Sequence, residues 1–304
     1  MTADILTSPS LSWNLLDDIN ELLRFHFMQN ALLAGTIVAV MGGLMGYFVV
    51  LRGQTFAAHT LSQIGFPGAA GAALAGVSPL YGLLLFCTAG ACGIAALSAP
   101  LDEGRRAETA AIGSILTVAL ALGFLFASLY HGFITSVYAY LFGTFVGIDD
   151  RQVLTLLIVA VASVAVLALI GRRLLFASVE PDVAAARGVR VRRLSVAFLL
   201  LLGLSVAAAS QVTGTLLVFA LLVTPAATAQ QLTARPATAL VLSVVIAVLV
   251  AWIGMGVAYF SVYPVGFFVT SVAFAGYLLA RAWRWARPRF AGSPSPPRAA
   301  GAPA

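Results

Sequence analysis

His59 and Gln63 stand four residues apart in LRGQTFAAHTLSQIGFPGAAGAA, residues 51–73, inside a chain that is otherwise almost uniformly apolar. On an α-helix that spacing separates two side chains by about 40°, so imidazole and amide point the same way. Thr55 and Ser62 fall on or near that side as well. An imidazole nitrogen and an amide oxygen can ligate a passing cation or hydrogen-bond a neighbouring helix, and residue type alone does not choose between the two. A second polar set, Thr224, Thr228, Gln230 and Gln231, surrounds Pro225 in TGTLLVFALLVTPAATAQQ, residues 213–231. Proline breaks the helix there, removing a backbone donor and freeing a carbonyl that side chains, water or a ligand must satisfy. Thr224, Pro225 and Thr228 therefore read as a pathway lining or hinge, with a structural kink as the alternative. In FASVEPDVAAARGVRVRR, residues 176–193, Glu180, Pro181 and Asp182 open a short helix that Gly188 ends. Acids and proline suit a first turn, and glycine suits the position after the last. A capped helix in the longest polar loop is more than a connector needs, and it looks built to dock a partner.

The elements that must hold these residues follow from composition. Of the 304 residues 61% are hydrophobic and 9% charged, with a mean hydropathy of +1.00, far from the proportions of a soluble domain. Apolar runs recur from Met28 to the arginines near residue 281, each close to the roughly 20 residues that cross about 30 Å of hydrocarbon as a helix. They lack the alternation of barrel strands, so the fold class is all-α, a polytopic transmembrane helical bundle. Spans are expected near 29–50, 56–75, 79–99, 108–129, 152–171, 194–211, 214–232, 238–259 and 267–284. Nine crossings become eight if the stretches on either side of Val212 and Thr213 form one broken helix. Residues 29–285 make the membrane domain, with 176–193 as its main polar loop. An interfacial segment, 1–28, precedes it with a short helix over 11–27, and a tail rich in Pro, Ala and Gly, 286–304, is expected to be disordered. The first thirty residues carry acids where a cleaved signal would carry bases.

Charge sets the orientation and removes several function classes. The net charge of +6 lies on arginines in short loops, not on one folded face, which argues against nucleic acid and for the positive-inside rule. One threading puts Arg52, Arg105, Arg106, Arg172, Arg173, the cluster at 187–193, Arg235 and Arg281–Arg287 in the cytoplasm, with the N-terminus outside and the C-terminus inside. Residues 135–147, TSVYAYLFGTFVG, are too short to span and read as an outer re-entrant or interfacial helix. Gly42 with Gly46, and Gly65, Gly68, Gly71 and Gly76, are small residues that let helices approach closely. Cys87 and Cys92, five apart on one apolar helix, do not face the same way and read as small hydrophobes. All seventeen basic residues are arginine, so the chain carries no P-loop lysine, and any ATP is bound by another chain. No HExxH, GxSxG or mid-span carboxylate pair supports an enzyme, and no cofactor is expected on this chain. His26 and His131 lie at interfacial positions and are left out of the site.

These stretches, in this order and spacing, resemble the permease subunits of bacterial ABC-type zinc and manganese importers. The matching pieces are LR-x-x-x-F from Leu51, ETAAIG at 108–113, AYLFG at 139–143, P-D-x-A-x-x-x-G at 181–188, and the most specific, G-x-L-L-V-x-A-L-L-V-x-P-A-A-T-A at 214–229. The resemblance implies a homodimeric permease in the bacterial inner membrane, fed by an extracytoplasmic metal-binding protein and powered by two copies of a cytoplasmic ABC ATPase. It implies that the helix at 180–188 is the coupling helix, contacting the ATPase through Glu180, Pro181, Asp182, Ala184 and Gly188. The family pattern in the second span reads D-x-x-x-H, facing the pathway. Here His59 takes the aspartate position and Gln63 the histidine position. Imidazole is a good zinc ligand and an amide a poor one, so the expected cargo is zinc first and manganese second, moved by alternating access. The rivals are the same architecture carrying a metal chelate, and a secondary carrier or channel that needs no ATPase.

Overall fold

The computed structural model describes residues 25–97, 104–130, 143, 147–261 and 263–290. Among these the ordered elements are helices: α1 (His26–Leu51), α2 (Thr55–Leu74), α3 (Pro79–Leu97), α4 (Gly104–Leu129), α5 (Asp150–Val179), α6 (Pro181–Ala186), α7 (Val191–Thr213), α8 (Thr215–Leu232), α9 (Pro236–Tyr259) and α10 (Val265–Phe290). Eight of them are long and apolar enough to cross a membrane. The ninth long helix, α2, has 20 residues, enough by length, but its His, Gln, Ser, Thr and Gly content holds its hydropathy below the rest. It answers that polarity by burial, with fourteen residues from Ala57 to Ala72 inside the bundle. The expectations for residues up to 24, for 135–147 apart from Gly143 and Gly147, for His131 and for the tail beyond 290 fall outside the described residues.

Several boundaries move. The span expected at 152–171 runs on to Val179, so residues 176–179 are helix and not loop. Arg172 and Arg173 are exposed within it, where long basic side chains reach the interface without ending the helix. Likewise α10 continues to Phe290, past the start expected for the tail. The pair α7 and α8 is two helices, divided by Gly214 alone at φ 79° and ψ 155°, a backbone conformation open essentially only to glycine. Ser205, Val206 and Ala209 of α7 line one small cavity with Val218 and Leu222 of α8, so the chain reverses at Gly214 into an antiparallel hairpin.

Four helices, α1, α2, α7 and α8, make the centre, with α3, α4, α5, α9 and α10 around them. Small residues set the distances. A Cβ on Gly46 of α1 would collide with the Leu222 carbonyl of α8, and Gly68 of α2 and Gly82 of α3 would each meet the other's carbonyl. In lipid no difference in apolarity drives helices together, so such backbone-to-backbone approach supplies the packing. The two ends are tied differently. At one, His26 Nε2 and Asp150 Oδ1 are 3.1 Å apart, and Asn30 Nδ2 donates to Asp150 Oδ1 at 2.7 Å and to the Ile148 carbonyl at 3.0 Å. At the other, Arg52 donates to Ser178 and Ser195, Gln230 Nε2 to the Tyr47 carbonyl at 3.1 Å, and Arg284 Nη1 to Gln231 Oε1 at 2.8 Å. This gathers the arginine-bearing helix ends onto one face.

Gly46→Ala is expected to lower the thermal midpoint of the detergent-solubilised protein, because the new methyl meets backbone and overpacking costs about 1–3 kcal/mol. Gly256→Ala, in α9 with nothing within 4 Å of its Cβ position, is the control. It should be neutral or stabilising by up to about 1 kcal/mol through helix propensity.

Candidate functional site

His59 lies in the second turn of α2 and is partly buried. Its ring meets the Phe219 ring of α8 edge to face, with centroids 4.8 Å apart. Its Nδ1 is buried and has no hydrogen-bond partner among the described residues. Ser62 does not supply one, since its Oγ donates to the His59 carbonyl at 2.7 Å and leaves the ring alone. One turn further along α2, Gln63 is 8% exposed. The structure thus brings the pair onto one helix face, as its spacing predicted.

The sequence reading passed over a backbone feature of the same helix. Pro67 stands inside α2 and has no N–H, so the carbonyl four residues earlier lacks its helical donor. That carbonyl belongs to Gln63. Gln63 therefore carries two oxygens, one amide and one main-chain, one helical turn along α2 from His59. Further along the same seam, Gly65 of α2 faces α7 and α8: a Cβ there would stand 3.0 Å from Thr215 Cγ2 and 3.8 Å from Ser210 Oγ. The hydroxyls of Ser210, Thr215 and Thr60 are also buried without partners among the described residues. Unpaired buried hydroxyls are costly and uncommon; a fourth, Ser163, lies apart on α5, while these three lie on α2, α7 and α8, which pack against one another.

The second predicted set separates from the first. Pro225 does not break α8, which is continuous from Thr215 to Leu232. The Leu221 carbonyl that Pro225 leaves without a donor lies against α1, 3.6 Å from where a Cβ of Gly42 would stand. Thr228 Oγ1 donates to the Thr224 carbonyl at 2.8 Å, a local bond within the helix. Gln230 and Gln231 are tethers to α1 and α10. His59 meets α8 at Phe219, about 9 Å along the axis from Pro225 at 1.5 Å per residue. The pathway and hinge residues do not converge on His59.

The third set forms as expected with two corrections. α6 is six residues with Pro181 first and Asp182 in its first turn, but Glu180 makes no side-chain cap. Its stop is the Gly188 turn, φ 80°, where Gly188 N–H bonds to the Ala185 carbonyl at 2.9 Å and Val189 N–H to the Ala184 carbonyl at 3.0 Å. Ala184 is fully buried and anchors the helix. Pro181, Asp182, Val183 and Gly188 are exposed, and Arg187 stacks over Phe176 at 5.7 Å to pin the turn onto α5. Beside it Arg173, Arg187, Arg190 and Arg193 line a basic cleft of about 660 Å³.

A closely packed helical membrane bundle with a polar seam inside and a short exposed helix at its arginine-rich end is a transport permease. The sequence matches the ABC 3 transport family over residues 24–284, and the chain belongs to that family. It is 31% identical over 271 residues to the manganese transport system membrane protein MntC of Halalkalibacterium halodurans, covering 89% of this chain and 91% of that one. To the chelated iron transport system membrane protein YfeC of Yersinia pestis it is 31% identical, over 79% of each chain. Among solved structures, PsaBC from Streptococcus pneumoniae in complex with Fab superposes with a TM-score of 0.79 at 25% identity, over 90% of this chain and 99% of that one. The chain is thus a transport subunit, and membership in this family removes the carrier or channel independent of an ATPase.

Gln230→Ala should remove a tether and leave the path untouched. It is expected to lower the thermal midpoint, at a cost of about 1 kcal/mol for one hydrogen bond, while the half-saturating cargo concentration in an uptake assay stays unchanged.

Proposed function

We propose that this chain is the permease of an ATP-driven importer for a divalent transition metal, with manganese ahead of zinc, and that His59 and Gln63 contact the ion on its way. The observation that carries this reading is the buried, unpartnered Nδ1 of His59 on the same helix face as Gln63. The order of cargo is the reverse of that expected from the His/Gln pair alone. Relatives named for manganese and for chelated iron support the change. So does the chemistry, because the Gln63 amide oxygen and its freed carbonyl are hard oxygen donors that suit manganese, with imidazole as the borderline member. Among the described residues no three His, Cys, Asp or Glu side chains come together, which suits a transit site more than a storage site.

The movement we infer is alternating access between two copies of this chain in the bacterial inner membrane, N-terminus outside and C-terminus in the cytoplasm. Each copy presents the exposed face of α6 and its arginine rim to one of two cytoplasmic ATPase subunits, and an extracytoplasmic binding protein delivers the ion. The resemblance to YfeC favours one further reading, a chelate as cargo.

Uptake of radiolabelled manganese, in cells lacking their own manganese and zinc importers and expressing the permease with its ATPase and binding protein, tests the proposal. His59→Ala at equal membrane levels should reduce the initial rate at least about tenfold, the loss of one ligand being worth more than about 1.4 kcal/mol. Pro67→Ala gives α2 back its N–H, occupies the Gln63 carbonyl, and should lower manganese uptake relative to zinc. Unchanged uptake in His59→Ala would overturn the role of that residue. Uptake that requires a chelator would move the cargo to the second reading.

A further inference from the structure

Arg52 closes α1, its N–H bonded to the Phe48 carbonyl at 3.0 Å, three residues before α2 begins. Its guanidinium spreads over three segments. Nε donates to Gln54 Oε1 at 3.1 Å within the turn, Nη1 to Ser178 Oγ at 3.1 Å in the last turn of α5, and Nη2 to Ser195 Oγ in the first turns of α7. The charge also lies 5.8 Å from the centre of the Phe198 ring. Ser178 and Ser195 bracket α6, one just before it and one just after the turn that follows it. Setting the orientation of a membrane protein needs only a positive charge on the cytoplasmic side, which a snorkelling arginine supplies without partners. Here the planar fork is committed in three directions, a geometry that a lysine ammonium on a flexible stem does not reproduce.

We propose that Arg52 is the positioning residue that carries a displacement of α6 to His59 and Gln63. The route is short and continuous: both flanks of α6 hold the guanidinium, the guanidinium holds the turn, and α2 leaves that turn as an unbroken helix with His59 in its second turn. A pull on α6 that moves α5 and α7 together drags the start of α2. Without the fork, α6 and α2 share only the general packing of the bundle. This inference rests on the reading of α6 as the docking helix and of α2 as the pathway helix.

The test uses the full permease with its ATPase, in a background where Cys87 and Cys92 are replaced and Gln63→Cys is the only thiol. The maleimide labelling rate at position 63 is measured without nucleotide and with ATP and vanadate trapped on the ATPase. With Arg52 present, trapping should change the rate. In Arg52→Ala and Arg52→Lys complexes that still assemble and hydrolyse ATP, that change should shrink by roughly tenfold, within the 5–150-fold range of a typical coupling between sites. If either variant fails to assemble, Ser178→Ala with Ser195→Ala removes the acceptors, keeps the arginine and should give the same loss. A change of normal size in the arginine and serine variants alike overturns the proposal. No change even with Arg52 present overturns alternating access at this site and the proposal with it. The readout is independent of the cargo, so a failure of manganese uptake is distinguished from a failure of transmission.

Discussion

In hydrocarbon every backbone carbonyl and amide must find a partner inside the protein, and each one left alone costs several kcal/mol. Long helices meet that demand almost everywhere in this chain, so the places that escape it stand out. Pro67 leaves the Gln63 carbonyl without its donor, Pro225 does the same to the Leu221 carbonyl, and Gly214 interrupts the ladder between α7 and α8. The exceptions are treated differently. Leu221 is pressed against α1 at Gly42, where close Cα–H approach gives a carbonyl some compensation. The Gln63 carbonyl instead belongs to the residue one turn along α2 from His59, whose Nδ1 is buried without a partner among the described residues. Apart from Ser163 on α5, the buried side-chain atoms without partners among the described residues lie on α2, α7 and α8, which is what favours the proposed path there.

The polarity of α2 has a structural consequence. A helix with His, Gln, Ser and Thr along it cannot face lipid, so the remaining helices must enclose it, and they do so by glycine contacts with α3 and by burial against α4, α7 and α8. Close backbone packing fixes α2 along its C-terminal half, where Gly68 meets Gly82. At its start it is held through Arg52 by two serine hydroxyls and one amide. Hydrogen bonds can be exchanged for others at small cost, whereas interlocked backbones move only as a body. The firm half and the exchangeable end lie on either side of His59.

Much of this was legible in the residues, and the failures share a cause. Run length and arginine position placed all nine long helices, because crossing about 30 Å leaves little freedom in length. The four-residue spacing of His59 and Gln63 gave their common face, and Pro181, Asp182 and Gly188 gave α6. Pro225 and Pro67 are alike as residues, and both stand inside unbroken helices, but the polar cluster around Pro225 drew attention to that one alone. Gln230 and Gln231 turned out to be tethers, a role set by Tyr47 and Arg284, which lie far away in sequence. Phe219, Ser210 and Thr215 carry no local signal, since only the packing of α2 against α7 and α8 makes them neighbours of His59 and Gly65. The relation between Pro67 and Gln63 was readable, being a fixed offset of four.

The proposed donor set would also let a membrane protein pass a dication without trapping it. Imidazole and two amide-type oxygens are neutral, and no acidic residue among the described residues lies mid-span, so the charge of an ion at the proposed site would not be cancelled at this depth. Neutral ligands replace part of the hydration shell and leave the field of the ion largely uncompensated, so the bound state stays shallow. A shallow site releases quickly but captures poorly from dilute solution. On this reading capture would come from the proposed extracytoplasmic binding protein, and direction from ATP hydrolysis in the partner ATPase. On the proposed reading the chemistry of His59 and Gln63 would make the permease dependent on both of its proposed partners, a division of labour that membership in the ABC 3 transport family favours.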